Sequence, residues 1–260
     1  MRLQLLDFTS AKSVKANKQP PLLFVHGAFC AAWVWEEFFF PWFAERGYHG
    51  YAVSLRGHGE SDGRGAASSW SLQDYVTDVK QVLAEIPKKP ILVGHSMGAV
   101  VVQKLLEHND YPAAVLMAPS PPDGFLVPMM QMAVPNPSMM SALWGGVGGA
   151  TPNAALADML FPRQTPELKN RYVNAMETMA SMRVGMDMSM GDTVIPRVGM
   201  QTPVSVIGAE HDALVSTSQL HRTARRYGVK AQIVPDINHM MMLDAPWERA
   251  AEATLAGLNH

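Results

Sequence analysis

Ser96 stands in Gly94-His95-Ser96-Met97-Gly98, between the apolar run Ile91-Leu92-Val93 and the helix-like stretch from Ala99 to Leu106. A serine at such a strand-to-helix junction sits on a sharp turn that pushes its hydroxyl out beyond the sheet. Glycine at 94 and 98 lets neighbouring backbone come close where a side chain would collide. The amide of Met97 opens the helix, lacks an intrahelical partner and lies at the positive end of the dipole. It is expected to help hold an oxyanion, so the chemistry in view is attack of a serine on a carbonyl.

A serine hydroxyl is a poor nucleophile at neutral pH and needs an adjacent base. Histidine suits that task, with an ordinary pKa of about 6.5. Of the nine histidines, His26, His95 and His58 read as packing or loop-bracing groups. His49, His108, His221 and His260 fall on expected helices, strand edges or the tail, and His211 directly precedes Asp212. His239 remains, shortly after Ile233-Val234 and anchored by the apolar run from Met240 to Leu243. A carboxylate must fix its tautomer. Asp212 and Glu210 both follow the strand ending at Ile207, and Asp123 is a more distant alternative.

The elements that would position these groups alternate. Strands are expected at 2–8, Leu22–Val25, Tyr51–Leu55, Ile91–Val93, Ala114–Met117, Val204–Ile207 and Gln232–Val234. Helices are expected from Trp33 to Arg46, with Pro41 awkward in the middle and Gly47 as terminator. Others run from Leu72 to Ile86 behind the capping box that Ser71 opens, from Ser216 to Tyr227, and from Pro246 to Leu258. The segment from Ala11 to Pro21 reads as a loop or weak hairpin. Alternation of this kind predicts an α/β fold with a doubly wound, mostly parallel sheet, in which ligands bind beyond the carboxyl ends of the strands.

Between Pro119 and Gln201 the pattern breaks into a stretch rich in methionine, proline and glycine, which holds most of the chain's 19 methionines. The expected division is a core of residues 1–121 and 202–260 with a lid inserted at 122–201, helical over 166–183. Methionine is adaptable, so a surface it lines accepts varied apolar shapes. Phe29, Trp33 and Trp144 are expected to wall an apolar pocket.

Hydrophobic residues make up 48% of the chain and charged residues 17%, as in a globular protein with a sizeable core. A net charge of −2 gives no reason to expect nucleic acid or an anionic membrane as partner. A single cysteine, Cys30, excludes an intrachain disulfide, and no stretch approaches the ~18 apolar residues that span a bilayer. Neither metal-ligand spacing nor a phosphate-binding glycine loop is present, so no metal and no cofactor are expected. The default location is cytoplasmic, and the oligomeric state is left open.

Four stations resemble the α/β-hydrolase superfamily in its lid-bearing, esterase-like branch. They are His26-Gly27-Ala28-Phe29, Arg56-Gly57-His58-Gly59-Glu60-Ser61, the pentapeptide around Ser96, and the pair of loops ending at Asp212 and around His239. The likeness runs from about residue 21 to the C-terminus. It implies that the amide of Ala28 joins that of Met97 in an oxyanion hole. It also implies Asp212 as the acid, since Ala213-Leu214-Val215 resembles the family's acid loop and Ser, Asp, His is the family's chain order. Serine rather than aspartate at 96 argues against dehalogenase and epoxide hydrolase chemistry. The resemblance implies hydrolysis of a small or medium apolar ester or lactone. Aminopeptidase and carbon–carbon hydrolase activities, and a non-catalytic ligand receptor, are the alternatives on the same fold.

Overall fold

The structure is a computed structural model that describes residues 1–8, 19–120, 124, 154–176, 181–189 and 199–258. Seven strands form one sheet: β1 (Gln4–Phe8), β2 (Leu22–Val25), β3 (Gly50–Ser54), β4 (Ile91–His95), β5 (Ala114–Met117), β6 (Val204–Ala209) and β7 (Ala231–Val234). Their spatial order is β1-β3-β2-β4-β5-β6-β7, with β1 antiparallel to β3 and every other pair parallel. The fold is the expected α/β architecture.

Strands covered on both faces must be apolar throughout, and β2, β4 and β5 are buried at every position. Alternate residues feed two separate cores. Phe24, Val93, Val115, Met117 and Ile207 point to one, and Leu23, Val25, Leu92, Leu116 and Val206 to the other. The first core is closed by α1 (Phe39–Glu45) and α8 (Trp247–Gly257), the second by α2 (Leu72–Glu85), α3 (Met97–Leu106) and α7 (Thr217–Arg226).

Among the described residues three further helices lie between β5 and β6: α4 (Ala154–Leu160), α5 (Pro166–Ala175) and α6 (Met182–Ser189). Leu160, Phe161, Tyr172 and Met176 join the first core, whereas Val184 of α6 joins the second. The helix expected over 166–183 stops at Ala175, because Met176 turns extended at ψ 146; residues 177–180 lie outside those described.

Pro41 accounts for a second departure. The single helix expected from Trp33 to Arg46 is two pieces, a 3₁₀ turn at Ala32–Trp35 and α1. Restarting at Phe39 puts Pro41 third in α1, where its missing N–H has no intrahelical partner to lose. Gly47 and Gly228 follow their helices in the left-handed region, at φ 84 and 69. Ser71 and Asp74 form the capping box of α2. Pro246 precedes α8 as its N-cap residue rather than lying in the first turn.

Candidate active site

Ser96 ends β4 and caps α3 with φ 52 and ψ −117, a conformation costing about 1–3 kcal/mol that persists only where the surroundings impose it. They do so on both sides. A Cβ on Gly98 would fall 2.3 Å from the Val25 carbonyl oxygen and 2.4 Å from that of His26, and one on Gly94 2.6 Å from the Gly98 oxygen. The Ser96 amide donates to the Met117 carbonyl at 2.9 Å, tying the turn to β5. Met97, buried, is the first residue of α3. Phe29, after Ala28 in the loop leaving β2, also has a positive φ of 61.

The carboxylate against His239 is that of Asp212. His239 Nδ1 lies 2.8 Å from Asp212 Oδ2 and 3.0 Å from Oδ1. Their side chains are 5% and 0% exposed. The amides of Leu214 and Val215 donate to Asp212 Oδ1 at 2.8 and 2.9 Å, so the acid is orientated by backbone. Asp212 does not cap α7, whose cap is Ser216. Glu210 is exposed and accepts from the Asp236 amide. Asp123 and Trp144 lie outside the described residues, as do His260 and the segment from Ala11 to Lys18.

His95 links the serine turn to the histidine loop: its Nε2 lies 2.9 Å from the His239 carbonyl oxygen, and the two rings are 4.9 Å apart. Only Nε2–H can donate there, so His95 holds one tautomer. Burial, with His239 nearby, keeps its pKa well below the ordinary value. His26 is fixed likewise: Nδ1–H donates to the Gly27 carbonyl at 2.8 Å while Nε2 accepts from the Leu55 amide at 3.0 Å. A charged ring could not accept, and burial lowers its pKa to about 3. His58 braces its loop through Nδ1, 3.0 Å from the Arg56 carbonyl.

The Arg56 loop is bolted to α2. Arg56 Nη2 and Nε donate to Asp78 Oδ1 at 2.7 and 2.9 Å, Nη1 to Asp74 Oδ1 at 2.8 Å, and the backbone amide to Asp78 Oδ2 at 2.9 Å. Asp78 is fully buried. The sequence carried a signal for it: two aspartates spaced i, i+4 on one helix repel unless a cation lies between them.

Trp33 meets an inserted helix. Trp33 stacks on Tyr172, 6.2 Å between centroids, and the Tyr172 hydroxyl donates to Glu37 Oε2 at 2.9 Å, where Arg171 also pairs. On the opposite flank Ser181 Oγ donates to the Trp70 carbonyl, and the Leu72 amide to Asp187 Oδ2 at 2.9 Å. Among the described residues one group of metal-capable side chains converges, Glu210, His211 and Asp236, all exposed. Arg249 and Arg163 already pair with Asp236, at 2.7 and 3.7 Å, and would oppose a cation there.

A serine on a strained strand-to-helix turn of a mostly parallel sheet, linked through His95 to a loop whose histidine is paired with a carboxylate, points to a class of α/β fold rather than to one activity. Residues 22–253 match the model of the alpha/beta hydrolase family, and the chain belongs to that family. It is similar to a pyrethroid hydrolase of Sphingobium wenxiniae, 34% identical over 34% of this chain and 34% of that one. It is also similar to norfluorocurarine synthase 1 of Strychnos nux-vomica, 33% identical over 49% of this chain and 45% of that one. The chain thus matches between a third and a half of the length of these curated relatives. Among solved structures it resembles an esterase from Exiguobacterium antarcticum (TM-score 0.75, 16% identity, 99% and 96% of the two chains). A monoacylglycerol lipase of Paleococcus ferrophilus is comparable (TM-score 0.71, 19% identity, 99% and 98%). No described helix is long and apolar enough to cross a membrane.

Proposed function

We propose that this hydrolase cleaves carboxylic esters, including lactones, of small to medium apolar groups through Ser96, His239 and Asp212. The observation that carries the reading is the buried pair of Asp212 and His239, 2.8 Å apart. A carboxylate on Nδ1–H leaves the Nε2 lone pair as base and stabilises the imidazolium that forms. His239 takes the Ser96 proton as the oxygen attacks the carbonyl carbon, and the amides of Ala28 and Met97 hold the oxyanion. The imidazolium then protonates the departing alcohol. Water, deprotonated by the same base, releases the acid. The step needs no cofactor.

Phe29 and Trp33 form part of an apolar wall, and the insertion between β5 and β6, whose Tyr172 stacks on Trp33, is read as its lid. The relative named as a hydrolase of pyrethroids and the neighbours named as an esterase and a lipase point the same way.

Turnover of p-nitrophenyl esters of rising chain length, with the matching p-nitroanilide as contrast, tests the bond cleaved and measures the pocket. Ser96→Ala is expected to fold, to lose on the order of a millionfold in kcat, and to take no label from a fluorophosphonate. Persistent labelling would move the nucleophile elsewhere. No turnover at any chain length by the unaltered protein, with tight binding of a small ligand, would assign a receptor instead.

A further inference from the structure

The loop that carries His239 runs from Pro235 to Asp244, after β7. Its interior side is secured: Ile237 and Met240 to Leu243 are buried in the first core, and His95 holds the His239 carbonyl. Asp244, fully buried, accepts from Asn238 Nδ2 at 2.8 Å and so closes the loop on itself. On the outer side Arg249 Nη1 donates to the Pro235 carbonyl at 3.1 Å and the His211 amide to the Ile237 carbonyl at 3.0 Å, and three further acceptors lie at the two ends: the carbonyls of Asp236 and Leu243 and Asp244 Oδ1. Leu243 and Asp244 are buried, and a buried acceptor left without a donor costs about 1–3 kcal/mol; Asp236 is exposed.

The donors come from the turn after α4. Arg163 Nη1 donates to the Asp236 carbonyl, the Arg163 amide to Asp244 Oδ1 at 3.3 Å, and Gln164 Nε2 to the Leu243 carbonyl at 2.5 Å. Arg163 Nη2 also faces Asp236 Oδ1 at 3.7 Å. These bonds grip the loop three residues before His239 and four to five after it, straddling the imidazole without touching it. The neighbouring Phe161 is fully buried in the same core as Met240 to Leu243, which anchors the start of the turn.

We infer that Arg163 and Gln164 are positioning residues for His239: the inserted segment supplies an outer clamp of the histidine loop. The inference rests on the reading of His239 as the base. A displacement of about 1 Å in a reacting group can cost on the order of a hundredfold in rate, so a slackened clamp acts on kcat.

The test uses the full chain with Gln164→Met and with Arg163→Met/Gln164→Met, which keep side-chain bulk and remove the side-chain donors. Arg163→Lys serves as the conservative control. The double variant is expected to turn over p-nitrophenyl acetate with kcat lowered about tenfold or more and KM within about twofold. Its fluorophosphonate labelling slows in proportion, and Arg163→Lys keeps most of the activity. Hydrogen exchange at the Asp236 to Asp244 amides is expected to quicken in the double variant and, less, in Gln164→Met. Unchanged exchange overturns the clamp whether or not the protein turns over esters. A raised KM with unchanged kcat also overturns it, making the turn a pocket wall. Faster exchange in a protein whose unaltered form hydrolyses no ester would retain the clamp and sink the proposed reaction instead.

Discussion

The turn bearing Ser96 and the loop bearing His239 face the same end of the sheet but are held by different means. Backbone packing holds the first: carbonyls of β2 lie where a side chain at Gly98 would stand, and the serine has a single available conformation. Hydrogen bonds, most of them from side chains, hold the second, drawn from His95 in the core, Asn238 and Asp244 within the loop, Arg163 and Gln164 of the insertion, Arg249 of α8 and the His211 amide. The position of Ser96 is therefore all-or-none, whereas that of His239 can be loosened by degrees.

The largest effect that sharpens this contrast is Asp212→Asn. Two backbone amides keep an acceptor at Oδ1, so the new NH₂ faces His239 Nδ1 and forces the wrong tautomer. A loss on the order of ten-thousandfold in kcat is expected, with Glu210→Gln near normal in the same ester assay. The reverse ranking would make Glu210 the acid.

Gly98→Ala comes next. Its Cβ meets backbone at 2.3 and 2.4 Å, so β2 and α3 must separate, at a cost of about 3 kcal/mol or more in urea unfolding. Gly185→Ala is the contrast within the insertion, where a Cβ meets nothing within 4 Å. There, inside α6, alanine should stabilise by about 0.5–1 kcal/mol. Equal effects at the two positions would refute the contrast in packing.

The smallest effect is on pH dependence. His26 and His95 are neutral in the fold, their pKa values lowered by burial, that of His26 to about 3. Unfolded, each binds a proton near pH 6.5, so the unfolded state takes up more protons and stability falls as pH drops below that value. Between pH 8 and pH 5.5 each should remove roughly 1 kcal/mol. His95→Gln should lessen the slope; an unchanged slope would show that His95 is not held neutral.

The same contrast governs what could be read in advance. The serine turn was legible because its requirements are local: two glycines, an apolar strand before and a helix after. The strands were legible because burial on both faces leaves continuous apolar runs, and Ser71 and Gly47 marked helix ends by their own chemistry. The supports of the histidine loop were not legible. Arg163 and Gln164 sit in an unremarkable polar turn, and only tertiary approach brings them to Asp236 and Leu243. The Asp74–Asp78 spacing on an otherwise apolar helix face calls for a cation, but nothing local names it, because Arg56 is 22 residues upstream. Pro41 signalled a disturbance, but whether it would kink or split the helix depended on where α1 could restart.

The hydrogen bond between His95 and the His239 carbonyl joins positions 144 apart in the chain. During synthesis Ser96 is therefore made long before His239, and under the proposed reaction a ribosome-bound chain ending short of β7 holds the serine with nothing to activate it. Hydrolytic capacity should switch on late and abruptly, as the last loop docks, so that chains arrested at increasing lengths would stay dark to a fluorophosphonate dye until that point.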